Sequence, residues 1–236
     1  MADELLSYLF DGKPNILTQP MESWLTSSRR FTAFASAFRD KIRKKLRVTQ
    51  DPETLYDLRL ELETAYLLLQ ERNLSLVYEP EHTGPGRSPD FAVTFTTSLT
   101  FMVEVTRLRG STNATAQSEE ERLADAICSK LGQLLPQRGN VLIVGVDSLR
   151  LTQSELQALM LRIQQRAEAR DTTLWQRYGF RERADFFRHY QRLSEVLVRA
   201  TQWGSGEPLT AWVNPQAKHP LPSKVRTALY RSHTGK

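Results

Sequence analysis

Three acidic residues stand where a purely structural role is awkward. Glu61 lies three residues after Leu58, four before Ala65 and seven before Leu68, at the edge of an apolar helical stripe rather than opposite it. A carboxylate there is costly unless something pairs with it. Glu63, near Arg59, Tyr66 and Gln70 on the same helix, reads as solvated and is the reserve for the same role. Asp90 follows Pro89 and opens an alternating run in which Phe91, Val93 and Phe95 share one face and Asp90, Ala92 and Thr94 the other. In the next run Phe101, Val103 and Val105 are apolar, with Met102, Glu104 and Thr106 opposite. Bringing the two less apolar faces together requires paired residue numbers with an even sum, hence a connection with an odd number of residues or a bulge. In that register Asp90 faces Glu104 or Thr106, and two carboxylates converge. Clustered hard oxygens of this kind suit Mg²⁺ or Mn²⁺, which keep several waters and accept phosphate oxygens.

The elements that must position these acids can be read in order. From Asp51-Pro52 the apolar residues Leu55, Leu58, Leu62, Ala65 and Leu69 recur at three and four, predicting a long helix that ends near Arg72-Asn73. A short strand follows over Leu74 to Tyr78, a loop over Glu79 to Pro89, and a β-hairpin over Asp90 to Thr96 and Leu99 to Arg107. A loop from Gly110 to Gln117 leads to Ser118-Glu119-Glu120-Glu121, which has the form of a capping box, and the helix it starts carries Leu123, Ile127, Leu131 and Leu134 to Pro136. Val141 to Val146 is an unbroken apolar strand of the kind buried on both faces. Helices over 152–170 and 181–191, strands at Glu195–Val198 and Leu209–Val213, and a closing helix over Pro222–Arg231 complete the pattern. Trp175, Tyr178, Phe180, Phe186, Phe187 and Tyr190 alternate with arginines and read as a satellite core or a dimer contact before they read as a base-stacking surface. Together the elements predict an α/β fold, a mixed sheet flanked by helices.

Ser88-Pro89-Asp90-Phe91 and Glu104-Val105-Thr106, with thirteen residues between Asp90 and Glu104, resemble the motif pair of the PD-(D/E)xK nuclease superfamily, and a helix bearing a glutamate precedes them as it does there. The resemblance covers residues 53–147. It implies a restriction-endonuclease-like three-layer core, here a domain over residues 51–236 behind an N-terminal helical extension over 1–50. It also implies a metal-dependent phosphodiesterase in which Asp90, Glu104, the Val105 carbonyl and Glu61 hold Mg²⁺ or Mn²⁺. The family's lysine, two residues after the glutamate, is replaced by Thr106. Some members carry a substitute lysine on the following helix, and Lys130 occupies that place, with Gln133 one turn on. Its flanks Ile127 and Leu134 are apolar, which would turn it toward the sheet; a lysine merely snorkelling there is the other reading. Arg107 is a further cation, expected on the opposite sheet face from Glu104.

Charge narrows the partners. Between Arg29 and Arg47 eight basic residues stand against Asp40 alone, so this block is more positive than the whole 236-residue chain, whose net charge is +5. Phe31, Phe34, Phe38, Ile42 and Leu46 recur there at helical spacing and predict one docked amphipathic helix. A solvated outer face accounts for its charge; alternatively Arg39, Lys41, Arg43, Lys44, Lys45 and Arg47 would bind nucleic acid, DNA ahead of RNA, through phosphate contacts. A homodimer would suit the two strands of a duplex. The acidic start Met1-Ala2-Asp3-Glu4 and the short apolar stretches read as cytoplasmic, without a membrane span. A lone Cys128 excludes an internal disulfide and a thiolate zinc cluster. Four histidines without ligand spacing and without a nucleophile partner disfavour triad hydrolysis.

Overall fold

The computed structural model describes residues 2–49, 51–81, 88–109, 118–147, 151–201 and 209–234. Four short helices open the chain: α1 (Ala2–Phe10), α2 (Thr18–Ser27), α3 (Arg29–Ala37) and α4 (Arg39–Val48). The single amphipathic helix expected over the basic block is thus two helices. The break falls at Phe38, whose backbone leaves the helical region (φ −109, ψ 17) and lets α4 turn so that Ile42 and Leu46 are buried. Helix α5 (Pro52–Leu68) starts where the sequence predicts, with Asp51 accepting from the Thr54 amide at 3.0 Å and Pro52 in the first turn. It ends several residues earlier than its apolar repeat suggested. Arg30 explains the stop: its guanidinium donates to the carbonyls of Leu69 (2.6 Å), Glu71 (2.7 Å) and Leu74, holding the chain in a turn that feeds the first strand.

Strands β1 (Leu74–Tyr78), β2 (Phe91–Phe95), β3 (Leu99–Leu108), β4 (Asn140–Val146), β5 (Leu193–Ala200) and β6 (Thr210–Val213) form one mixed sheet in chain order. The first three strands are antiparallel, β3, β4 and β5 are parallel, and β6 returns antiparallel at the edge. Pairs such as Ala92↔Met102 and Phe95↔Leu99 have the even sum expected, which leaves residues 96–98 as the hairpin connection, with Thr96 left-handed (φ 55) at its start.

Both sheet faces are covered. One apolar cluster joins Leu9, Trp24, Phe31 and Ile42 of α1–α4 to Leu58 and Leu62 of α5 and to Phe91, Val103, Val105 and Ile143 of the sheet, so residues on both sides of position 50 share one core. Leu229 of α10 (Ser223–Thr234) closes that layer. On the other face α6 (Glu119–Leu131), α7 (Gln153–Glu168), α8 (Thr172–Tyr178) and α9 (Arg183–Tyr190) bury Leu123, Ile127, Leu156, Phe186 and Tyr190 against Leu142, Val144 and Val198. Ser118 and Glu121 make the expected capping box for α6, and Thr152 and Glu155 make another for α7. The aromatic run after Trp175 is the satellite core of this layer. Helix α8 within it had no strong apolar period and was not foreseen. Gly145 lets α5 lie close on β4, because a Cβ there would run into Leu60. Among the described residues no helix is long and apolar enough to cross a membrane.

Candidate metal and phosphate site

Strand polarity brings the motif acids together. Asp90 immediately precedes β2, whose pairing with β3 runs to Phe91↔Val103, so Asp90 and Glu104 lie side by side at one end of the hairpin and line one cavity. Asp90 Oδ2 accepts from the Val105 amide at 2.7 Å, which fixes its carboxylate across β3. Glu104 is buried, and its Oε1 accepts from Lys130 Nζ at 2.7 Å; Lys130 also donates to Gln133 Oε1 at 3.3 Å. The apolar neighbours of Lys130 on α6 therefore turn it inward, onto the glutamate two residues before Thr106. Arg107, one strand position further, lies on the opposite face as expected, tied to Glu53, to Asp57 at 3.1 Å and to Asp147 at 2.8 Å.

Glu61 approaches from α5 and accepts from Lys45 Nζ at 2.6 Å. Glu63 does not point into solvent as its helical position suggested. It is 1% exposed and paired with Arg199 of β5 at 2.8 Å. That ion pair crosses from α5 to β5, a long-range contact invisible to helical periodicity, and it removes Glu63 from the site.

The basic helix is less free than its formal charge implies. Arg43 and Arg47 both clamp Asp11, Arg47 at 2.6 Å, and Arg43 also lies 4.2 Å from the ring centre of Tyr8. Arg39 stands over the same ring at 5.1 Å, while Arg39 and Lys44 are exposed. Lys45 instead turns to Glu61 and Glu79, and Lys41 donates to the backbone carbonyls of Tyr78 and Glu79.

Together these side chains surround a cavity of about 530 Å³ lined by Lys41, Lys45, Glu79, Pro80, Glu81, Ser88, Asp90, Glu104, Lys130 and Gln133. With Glu61 behind Lys45, three lysines face five carboxyl groups. Glu79 was missed by sequence reasoning, which assigned it only to a loop. Its backbone is left-handed (φ 42), a conformation costly for a glutamate. It is held there by its amide donating to the Asp90 carbonyl at 2.8 Å, its own carbonyl accepting from Lys41 at 2.8 Å and its carboxylate pairing with Lys45 at 2.7 Å. The surviving clue in the sequence is its position at the end of β1, beside the strand that Asp90 opens.

The electrostatics express the crowding of acids. Loss of water, then the charges of Glu61 and Glu104, raise the Asp90 pKa well above the ordinary aspartate value. Burial likewise raises Glu61, against the pull of Lys45. Burial works against the charge on Lys45, but Glu61 and Glu79 outweigh it and hold the ammonium above its usual range. Tyr78, which continues this wall, is pushed up by burial and by Glu61.

Hard carboxylate oxygens in excess fit a divalent cation by type and by charge. Among the described residues, no three acidic, imidazole or thiol side chains are already drawn together at coordinating range. Lys45 stands between Glu61 and Glu79, and Lys130 holds Glu104. Comparisons with protein-family models, curated proteins and solved structures find no match.

Proposed function

We propose that the chain has a restriction-endonuclease-like core and is a divalent-metal-dependent nuclease, hydrolysing phosphodiester bonds in nucleic acid, DNA ahead of RNA. The observation that carries this reading is the pair Asp90 and Glu104 lining one cavity, with Lys130 of α6 on Glu104 and the α5 acid Glu61 behind it on Lys45. The succession of helix, antiparallel strands, helix and parallel strand about these residues supports it as well.

Asp90, Glu104 and the Val105 carbonyl would hold Mg²⁺ or Mn²⁺, with Glu61 joining directly or through water. Bound there, the ion would lower the pKa of a water and neutralise charge on the scissile phosphate. The chain's own groups do the rest. The Val105 amide orients Asp90, and Lys130, held on Glu104, would orient the nucleophile or stabilise the transition state. Exposed Arg39 and Lys44, with Lys41 on the cavity rim, are suited to phosphates outside the cleavage point.

The test is incubation of supercoiled DNA with the protein in Mg²⁺ and in Mn²⁺. Wild type should nick it, and Glu104→Ala should be inert. Lys130→Met should lose activity by orders of magnitude while binding metal nearly as well as wild type. Wild type that binds DNA and never cuts it would contradict the nuclease reading. A non-catalytic nucleic-acid module on the same fold would then stand, and Thr106 in place of the motif lysine is the observation that favours it.

A further inference from the structure

Lys45 is the residue that the proposed chemistry does not absorb. It belongs to α4, outside the strands and helices that carry the motif acids, yet its Nζ lies 2.6 Å from Glu61 and 2.7 Å from Glu79 and lines the same cavity as Asp90 and Glu104. It is also 4.9 Å from the ring centre of Tyr78. An ammonium with two carboxylates and a ring face already has a full set of partners where it sits. One of those partners, Glu61, is the acid that a divalent cation would need.

The position of α4 is held independently of this lysine. Ile42 and Leu46 are buried in the first core, Arg43 and Arg47 hold Asp11 in the turn after α1, and Lys41 donates to the carbonyls of Tyr78 at 3.2 Å and Glu79 at 2.8 Å. Lys45 is thereby presented to the cavity by a docked helix and not by a mobile chain. Its long side chain can swing between acceptors a few ångströms apart without moving the helix.

Resting on the metal-site reading above, we propose that Lys45 is an exchangeable counter-ion of the site. It holds Glu61 and Glu79 while no divalent cation is bound, and once released from Glu61 it grips a phosphate oxygen of the nucleic acid in the same cavity. It would thus supply from the N-terminal helices the phosphate-facing positive charge that Thr106 cannot. Metal and phosphate should then favour each other's binding, because each offers the group that the other displaces a new partner.

The experiment is Mn²⁺ titration calorimetry on wild type, Lys45→Met and Asp90→Asn, with and without a short phosphorothioate DNA duplex, and duplex affinity measured separately in Ca²⁺. In wild type the duplex should tighten Mn²⁺ binding several-fold. Lys45→Met should bind Mn²⁺ alone several-fold more tightly than wild type, show no such coupling, and bind the duplex in Ca²⁺ about tenfold more weakly. Thermal unfolding of Lys45→Met checks that it is folded, and Lys45→Gln, a smaller polar replacement, should reproduce both shifts. If either folded variant binds Mn²⁺ no more tightly than wild type, or binds the duplex equally well, the exchange is refuted. Asp90→Asn separates this from the parent reading: Mn²⁺ binding retained in that variant overturns the metal site itself, whereas binding lost there with unchanged Lys45 variants overturns the exchange alone.

Discussion

Single residues in this protein are charged with tasks that their neighbours in sequence do not reveal. Arg107 is 4% exposed and gathers Glu53, Asp57 and Asp147, so it joins the start of α5 to the ends of β3 and β4. Because those acids remain partly exposed, Arg107→Ala should cost about 2 kcal/mol, below the cost of breaking a fully buried pair, measured as a shift in chemical denaturation. Glu195 of β5 is fully buried beneath α10, accepting from Tyr230 at 2.7 Å with Arg226 at 3.7 Å. Burial raises its pKa from 4.5 to about 7, with Tyr230 and Arg226 only partly opposing the shift. An acid raised in the folded state contributes its stability in full below pH 4.5 and loses it as pH climbs through about 7. Glu195→Gln should therefore flatten the fall in stability across that window, a difference of about 3 kcal/mol between its ends. Denaturation midpoints for both proteins across the range would show it, and parallel curves would contradict it. Of the site residues, Asp90, Glu104 and Lys130 were legible because strand alternation and helical spacing fix where they point; Gln133 lies in the turn after α6, which ends at Leu131 and short of Pro136. Glu79 and Glu63 were not legible. One depends on a left-handed backbone held by Lys41 and Lys45, the other on Arg199 far along the chain.

Among elements, the hairpin was the most legible. A period of two and the need to bury Phe91, Val93, Phe101 and Val103 together leave one parity of register, which allows Asp90 to face Glu104 or Thr106; the three-residue connection between Phe95 and Leu99 places it beside Glu104. The α6 cap was legible for the same local reason: Ser118 announces a helix start through a glutamate three residues on, while the matching box of Thr152 and Glu155 emerges only in the structure. Ser118→Ala should lower stability by about 1 kcal/mol, read from denaturant midpoints, through the lost bond to the Glu121 amide. The bend at Phe38 and the early end of α5 were illegible. Apolar spacing continues through both, and the breaks are imposed from outside. Phe38 packs on Phe34 and Tyr78, and Arg30 occupies the carbonyls at the α5 terminus.

At the scale of the whole molecule, two helical layers enclose a mixed sheet, and the cavity opens where α4 and α6 approach β1–β3 from opposite layers. This arrangement turns an apparent polyanion-binding block into two populations of charge. Arg43, Arg47 and Lys45 pair with acids brought in from other elements, whereas Arg39 meets only its neighbour Asp40 and the Tyr8 ring, and Lys44 is exposed. Titration of Mn²⁺ into wild type and into Asp90→Asn, followed by calorimetry, tests the proposed divalent-cation site at this cavity most directly. One saturable site in wild type, absent from a folded Asp90→Asn protein, is the predicted result; equal binding by the two proteins, or none by wild type, would contradict it.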